Sequence, residues 1–345
     1  MATTSRSEHL HPPIPPFFTG FLDRHGGHRI YFELSGNPNG TPVTFLHGGP
    51  GSGCTEDHRR YFDACNQLIV LFDQRGSGRS EPNACLIDNT TSHLVEDIAA
   101  LLDHLSIGSI GIAGSSWGAT LGLAFAQSHP GRVRFLALTG VYLGTDHETA
   151  WWYSEDGVAR FFPEAYEQFL AGTAIRSRDW RALVRSYLCA MEADRLNVLS
   201  GALPFGSQGV PLEQLRKSPI YRWTEFELAM SYMNISERQV ADAIMSKGIK
   251  YLMSHSLIEA HYFVSSCFLE PDQLLRGVGT MQHLPVHIVQ SSYDMICPPR
   301  SARLLHKALP HSKFERVSNS GHALNSLSQG PFVRAIAGLL ERCDD

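Results

Sequence analysis

Three residues, spaced in a fixed order along the chain, have the side chains needed for nucleophilic acyl transfer. Ser116 lies between two glycines in the stretch "GSSWG", Gly114 to Gly118, where an apolar run passes into a helix-like segment. Glycines there permit a tight turn that a Cβ would obstruct, and a serine at its apex is held up and exposed. A serine hydroxyl needs a base, and the base needs an acid to orient it. Downstream, "HIVQSSYDMICPP" supplies Asp294 and "KFERVSNSGHALN" supplies His322. Taken singly, Asp294 reads as a turn residue and His322 as one loop histidine among seventeen. In the order Ser, Asp, His, each just after a strand-like run, they read as one set. The developing oxyanion needs N–H donors. The backbone of Trp117, next to the nucleophile, offers one, and Gly48 or Gly49 in the loop "HGGPG" offers the other. This chemistry calls for no metal and no cofactor. The segment "DQRGSGRSEP" has Gly76 and Gly78 but lacks the third glycine of a dinucleotide-binding turn.

The elements that must hold these residues alternate. "RIYFEL" and "VTFLHG" are strand-like, and "QLIVLFD" is a continuous apolar run of the kind covered on both faces. "TTSHLVEDIAALLDHLSI" puts Leu94, Ile98, Leu101, Leu102 and Leu105 on one helical stripe. Strand "SIGIAG", a helix from Trp117 to about Ser128 and strand "VRFLALTG" follow. Strands alternating with helices predict an α/β fold with a mostly parallel sheet flanked by helices. After Tyr142 the rhythm stops, and residues 146–275 read as a helical insertion. Alternation resumes at "PVHIVQ", so residues 17–145 and 276–345 form the core and the insertion roofs the strand ends where such sheets bind ligands. Residues 1–16, with "HPPIPP", are expected to be a mobile proline-rich lead-in.

Composition narrows the function classes. A chain of 345 residues, 43% apolar and 18% charged, suits a globular enzyme, and its net charge of −5 offers no basic surface for nucleic acid. Seven scattered cysteines without a C-x-x-C pair argue against a disulfide framework and for a reducing compartment. The first residues lack the apolar stretch of a secretory signal, and no run is long enough to span a membrane, so a cytoplasmic location is expected. Oligomeric state is not legible here.

The motifs "HGGPG", "DQRGSGRS", "NTT..LVEDI", "GSSWGATL", "ARFFPE", "EAHYF", "YDMICP" and "SGHA" occur in an order that resembles the prolyl aminopeptidases, or proline iminopeptidases. These are serine peptidases of the α/β-hydrolase fold, and the resemblance runs from about Phe17 to the C-terminus. It implies release of an N-terminal proline or similar small residue from a peptide or amino-acyl amide. It also implies that two glutamates of the helical cap bind the substrate's free amine. Those are Glu259 in "IEAHYFV" and, in "YRWTEFELAMSYM", Glu227, with Glu225 as its rival until the helix register is known. A buried ammonium needs such compensating charge. Tyr142, Trp152, Tyr153 and Phe263 are candidates to floor a pocket for a small ring, although aromatic clusters commonly serve as core. Cys267 and Cys297 read as structural thiols.

The sequence departs from the family pattern at Ser115 for a glycine, at Ala260 for an asparagine, at Ser92 for a tryptophan, and in "QSSYD" for "HGRYD". None removes a catalytic group, but several surround the substrate. An amidase, esterase or acyltransferase of the same family, acting on a specialised small molecule, is therefore the main alternative. A non-catalytic ligand-binding member of the fold is the other, and the filled triad positions speak against it.

Overall fold

The computed structural model describes residues 9–175, 177–199 and 215–344. Its centre is an eight-stranded sheet of order β1-β2-β4-β3-β5-β6-β7-β8. The strands are β1 (Phe18–Arg24), β2 (His28–Gly36), β3 (Thr41–Leu46), β4 (Gln67–Phe72), β5 (Ile110–Ser115), β6 (Val133–Thr139), β7 (Val286–Ser291) and β8 (Lys313–Val317). β1 and β2 pair antiparallel, as do β2 and β4, and every other pairing is parallel. β1 is absent from the sequence reading. As an edge strand it carries the exposed Phe18 and Phe21 and lacks a clean inside–outside alternation.

The parallel strands divide their side chains between two cores, as residues alternating across a pleat must. Along β6, Leu136 and Leu138 face one core, while Phe135 and Ala137 face the other. After the short α1 (Glu56–Arg59), the first core is closed by α2 (Thr91–His104), whose Leu94, Ile98, Leu101 and Leu102 are each about 2% exposed, and by α3 (Trp117–Ser128). Burying each such side chain stabilises the fold by roughly 1.5–3 kcal/mol. The second core is closed by the C-terminal helix through Phe332, Ile336 and Leu339.

Between β6 and β7 the chain builds α4 (Asp146–Tyr153), α5 (Pro163–Leu170), α6 (Trp180–Leu199), α7 (Pro219–Ser231) and α8 (Glu237–Val264), with no strand among the described residues of that stretch. α8 breaks at Gly248, whose φ of 75° and ψ of 161° are not helical. α4 is tied over the β7 side by Trp151 Nε1 and Trp152 Nε1, which donate to the carbonyls of Met295 at 2.8 Å and Ile296 at 2.5 Å. The proline-rich lead-in, expected to be mobile, is instead held down over its described part. His11 exchanges backbone and side-chain hydrogen bonds with Arg60, and Ile14 O accepts from Arg59 at 3.1 Å.

"DQRGSGRS" is a structural clamp. Asp73, fully buried, accepts from the backbone of Cys54 at 2.7 Å and of Arg79 at 2.8 Å, and from Arg79 Nε at 2.7 Å. Arg75, also fully buried, forks onto Asp97 of α2 at 2.6 and 2.8 Å. Burying these charges is tolerable because each is paired and hydrogen-bonded. The clamp fixes the loop after β4 beside the loop after β3.

Candidate active site

Ser116 sits at the turn from β5 into α3 with φ 56° and ψ −124°, outside the regions a non-glycine residue ordinarily occupies. Strain of this kind, roughly 1–3 kcal/mol, persists only where the surroundings enforce it. They do so by close approach. A Cβ on Gly114 would lie 2.5 Å from the carbonyl oxygen of Gly118, and one on Gly118 would lie 1.9 Å from that of Leu46. The two glycines are thus required by backbone packed against backbone. The Ser116 N–H donates to Thr139 O at 3.1 Å, locking the turn to β6.

Asp294 follows β7 and is 2% exposed. Its Oδ1 accepts from the backbone of Ile296 at 3.0 Å and Cys297 at 2.6 Å. Both carboxylate oxygens lie within hydrogen-bond reach of His322 Nδ1, at 3.0 and 2.9 Å. An ionised carboxylate only accepts, so Nδ1 carries the proton and Nε2 is left as a base. Burial disfavours the imidazolium, but the carboxylates of Asp294 and Glu227 outweigh it and raise the His322 pKa above its ordinary value. The ring lies against Gly140 at the end of β6, where an added Cβ would meet His322 Cε1 at 3.2 Å. Ser116 Oγ is 4.0 Å from Cys297 Sγ, and that sulfur is within 4.8 Å of ligand atoms of both Asp294 and His322. Asp294 and His322 are therefore hydrogen-bonded to each other, and Ser116 approaches them by way of Cys297. Cys297 lies among them, its thiol pushed well up by burial and kept neutral.

The loop after β3 lies against this cluster. A Cβ on Gly48 would be 3.4 Å from Ser116 Cβ, and Gly49, at φ 104°, lines the same cavity as Ser116. A network absent from the sequence reading fixes the loop. Trp117 Nε1 donates to Gln74 Oε1 at 2.9 Å, and Gln74 Nε2 donates to His47 O at 3.0 Å. His47 Nε2 accepts from the backbone N–H of Gln74 at 3.0 Å, its Nδ1–H donates to Gly48 O at 3.0 Å, and burial lowers its pKa so that the ring stays neutral. Gln74 thereby links the residue after the nucleophile to the loop carrying Gly48 and Gly49.

The cavity at Ser116 is lined by Gly49, Trp152, Tyr153, Glu227, Met230, Glu259, Phe263 and Ile296. Larger cavities, such as one of about 440 Å³ beside Phe162 and Arg222, contain no member of the triad. Trp152, Tyr153 and Phe263 thus line the site, whereas Tyr142 does not. Its ring packs behind Trp152 at 5.1 Å, and its hydroxyl is shared with Thr149 at 3.0 Å and Cys267 at 3.2 Å. Tyr142 is a support for the pocket wall. The register of α7 separates the rival glutamates. Glu227 opens into the cavity, while Glu225 is paired with Arg222 at 2.7 Å beside the 440 Å³ cavity.

Glu259 on α8 is 4% exposed and accepts from Trp223 Nε1 at 2.7 Å. Burial and the neighbouring Glu227 carboxylate push its pKa up to about 8. His255, one helical turn earlier, reaches both acids: its Nε2 is hydrogen-bonded to Glu227 Oε2 and lies 3.5 Å from Glu259 Oε2. No motif marks His255 in the sequence. Such an arrangement can form an acyl-enzyme at Ser116, and it can hold a cation in the same cavity.

A model of the alpha/beta hydrolase fold matches residues 41–186. The proline iminopeptidase of Arabidopsis thaliana is 39% identical over 317 residues, 92% of this chain and 78% of that protein. The proline iminopeptidase of Xanthomonas citri is 38% identical over 331 residues, 95% of this chain and 98% of that one. Among solved structures, an esterase from Exiguobacterium antarcticum superposes with a TM-score of 0.59 at 16% identity, over 95% of this chain and all of that one. VinJ gives 0.57 at 19% identity with the same coverage. At such identities these structures speak to the fold.

Proposed function

The chain belongs to the proline iminopeptidase family of the α/β-hydrolase fold, and from that premise we propose that it releases an N-terminal proline, or a similar small residue, from peptides or amino-acyl amides. The observation that carries this reading is one cavity holding both a strained serine nucleophile and two acidic side chains, Glu227 and Glu259. The helices of residues 146–275 act as its cap.

The substrate's ammonium seats against Glu227 and Glu259, with its ring against Trp152, Tyr153 and Phe263. The scissile carbonyl carbon then faces Ser116. As Oγ attacks, His322 Nε2 takes its proton, and Asp294 holds the imidazole in the required tautomer and stabilises the cation that forms. The carbonyl oxygen, now an oxyanion, accepts from the N–H of Trp117 and from Gly48 or Gly49. Each such donor contributes about 10²–10³-fold in kcat. Collapse breaks the amide, His322 returns the proton to the leaving amine, and a prolyl ester remains on Ser116. Water, activated by the same histidine, hydrolyses that ester.

Because a buried carboxylate pair rejects a substrate that cannot neutralise it, a blocked amine should be refused by orders of magnitude. The test compares prolyl-p-nitroanilide, alanyl-p-nitroanilide and N-acetyl-prolyl-p-nitroanilide. Fast cleavage of the free prolyl compound, with the acetylated one at least about 10³-fold slower, is expected. Comparable cleavage of the acetylated compound would assign the triad to a different substrate.

A further inference from the structure

His255 lies on α8 one turn before Glu259, 3% exposed, with its ring stacked on Tyr251 at a centroid distance of 5.2 Å. Its Nε2–H donates to Glu227 Oε2, and Glu259 Oε2 is 3.5 Å from the same nitrogen. Its other nitrogen, Nδ1, is 3.2 Å from Ser52 Oγ. The Nε2 edge of the ring thus faces two carboxylates, the surroundings that favour an imidazolium, while Nδ1 faces Ser52. Ser52 belongs to the loop of Gly48 and Gly49. The same turn of α8 grips that loop a second time, through Ser254 Oγ donating to Gly51 O at 3.0 Å.

On these contacts we propose that His255 is a positioning residue of the amine site. Its imidazolium is the built-in counter-ion of Glu227, which leaves Glu259 free to ionise onto the substrate's ammonium, and its bond to Ser52 seats that pair against the oxyanion loop. The proposal rests on the reading above that Glu227 and Glu259 bind the amine.

Two carboxylates facing one cavity cannot both ionise unless a cation lies near them. In the substrate-free site His255 supplies that cation for Glu227. Burial works against a charged His255, yet Glu227 and Glu259 outweigh it and the pKa is pushed up to about 9. The titratable groups facing His255 are Glu227 from α7, Glu259 and Lys247 from α8, and the neutral His47 from the loop after β3. Lys247 Nζ is 4.0 Å from the centre of the Tyr251 ring on which His255 stacks, and His322 also faces Glu227. Remove the imidazolium, and the field of Glu227 falls undiminished on Glu259, which then holds its proton to higher pH. An arriving ammonium must first displace that proton. The defect therefore appears as weaker binding, largest at neutral pH, and it vanishes where wild-type His255 has itself lost its charge.

The test measures kcat and KM of wild type and His255→Gln on prolyl-p-nitroanilide from about pH 6.5 to pH 9.5, taking the ratio at each pH so that titration of the substrate's own amine cancels. The expected KM ratio is about tenfold at pH 7, falling below about twofold at pH 9.5, with kcat within about threefold throughout. A KM ratio that does not change with pH, or a loss carried by kcat alone, overturns the proposal, because damaged packing would produce either. A second measurement needs no variant. Imidazole 1H–15N spectra of the substrate-free wild type should contain a buried histidine doubly protonated at pH 8, and none in that state would overturn the proposal equally. If wild type fails to cleave the free prolyl compound, the reading of the substrate falls, and the imidazole spectra still decide the state of His255.

Discussion

Gly118→Ala adds one methyl group to the turn that carries the nucleophile. Its Cβ would sit 1.9 Å from the backbone oxygen of Leu46, whereas an ordinary contact begins near 3.4 Å, so about 1.5 Å of movement is required. Neither partner is the end of a flexible side chain. Leu46 is the last residue of β3 and leads directly into His47, Gly48 and Gly49, while Gly118 is the second residue of α3. Any relief therefore shifts the oxyanion loop relative to Ser116. Overpacking of this kind costs typically 1–3 kcal/mol. A misplacement of about 1 Å in a catalytic array costs about 10²-fold in rate, equivalent to about 2.7 kcal/mol of barrier. We expect Gly118→Ala to lower the melting temperature and to reduce kcat on prolyl-p-nitroanilide by about 10²-fold or more. Gly122→Ala, one turn along the same helix, is the matched control. Its Cβ would meet only side chains, the nearest Ile112 Cγ2 at 3.3 Å, and the helix gains about 1 kcal/mol of propensity. Kinetics and thermal melts of the two variants decide the matter. If Gly118→Ala keeps wild-type kcat and melting temperature, the explanation of the turn by backbone contact is wrong.

Replacing Gln74 by Leu severs both links between Trp117 and the His47 loop. It should lower kcat about tenfold or more with KM little changed, a split that steady-state kinetics reads directly. His322 must be neutral to act as base, and its pKa is raised by Asp294 and Glu227. Activity should therefore be complete above that raised pKa and be lost as pH falls through it. In a kcat/KM–pH profile the acid limb should lie above the ordinary histidine value and move down in Glu227→Gln. Arg75→Met leaves Asp97, 3% exposed, with Arg24 as its remaining guanidinium partner. Denaturant unfolding should report a loss of about 3–5 kcal/mol, with little change in KM for the protein that remains folded.

The proposed triad could be read because its chemistry and topology coincide: each member follows a strand-like run, and parallel strands end on one edge. The glycines of "GSSWG" were legible for the same reason, since a strand turning sharply into a helix needs close approach. Glu225 and Glu227 could not be separated in sequence, because two positions two apart on a helix differ by a rotation that only packing fixes. Tyr142 was grouped with the pocket aromatics, yet it lies one layer behind them, and type alone does not distinguish wall from support. β1 escaped notice because at the sheet edge one of its faces is exposed and the other only half-buried, so it carries no strong apolar signal. His255 left no local signal, and Gln74, although inside "DQRGSGRS", left none of its role. Their roles arise from contacts 203 and 43 residues away in sequence, made only when the loops after β3 and β4 meet α8 and α3.

The most direct measurement is turnover of prolyl-p-nitroanilide by Ser116→Ala, with circular dichroism confirming that the variant is folded. Loss of kcat by about 10⁴–10⁶-fold is the expected result, leaving only what binding and the oxyanion donors supply. Near-normal turnover by the folded variant would contradict the account, because no acyl-enzyme can form without that hydroxyl.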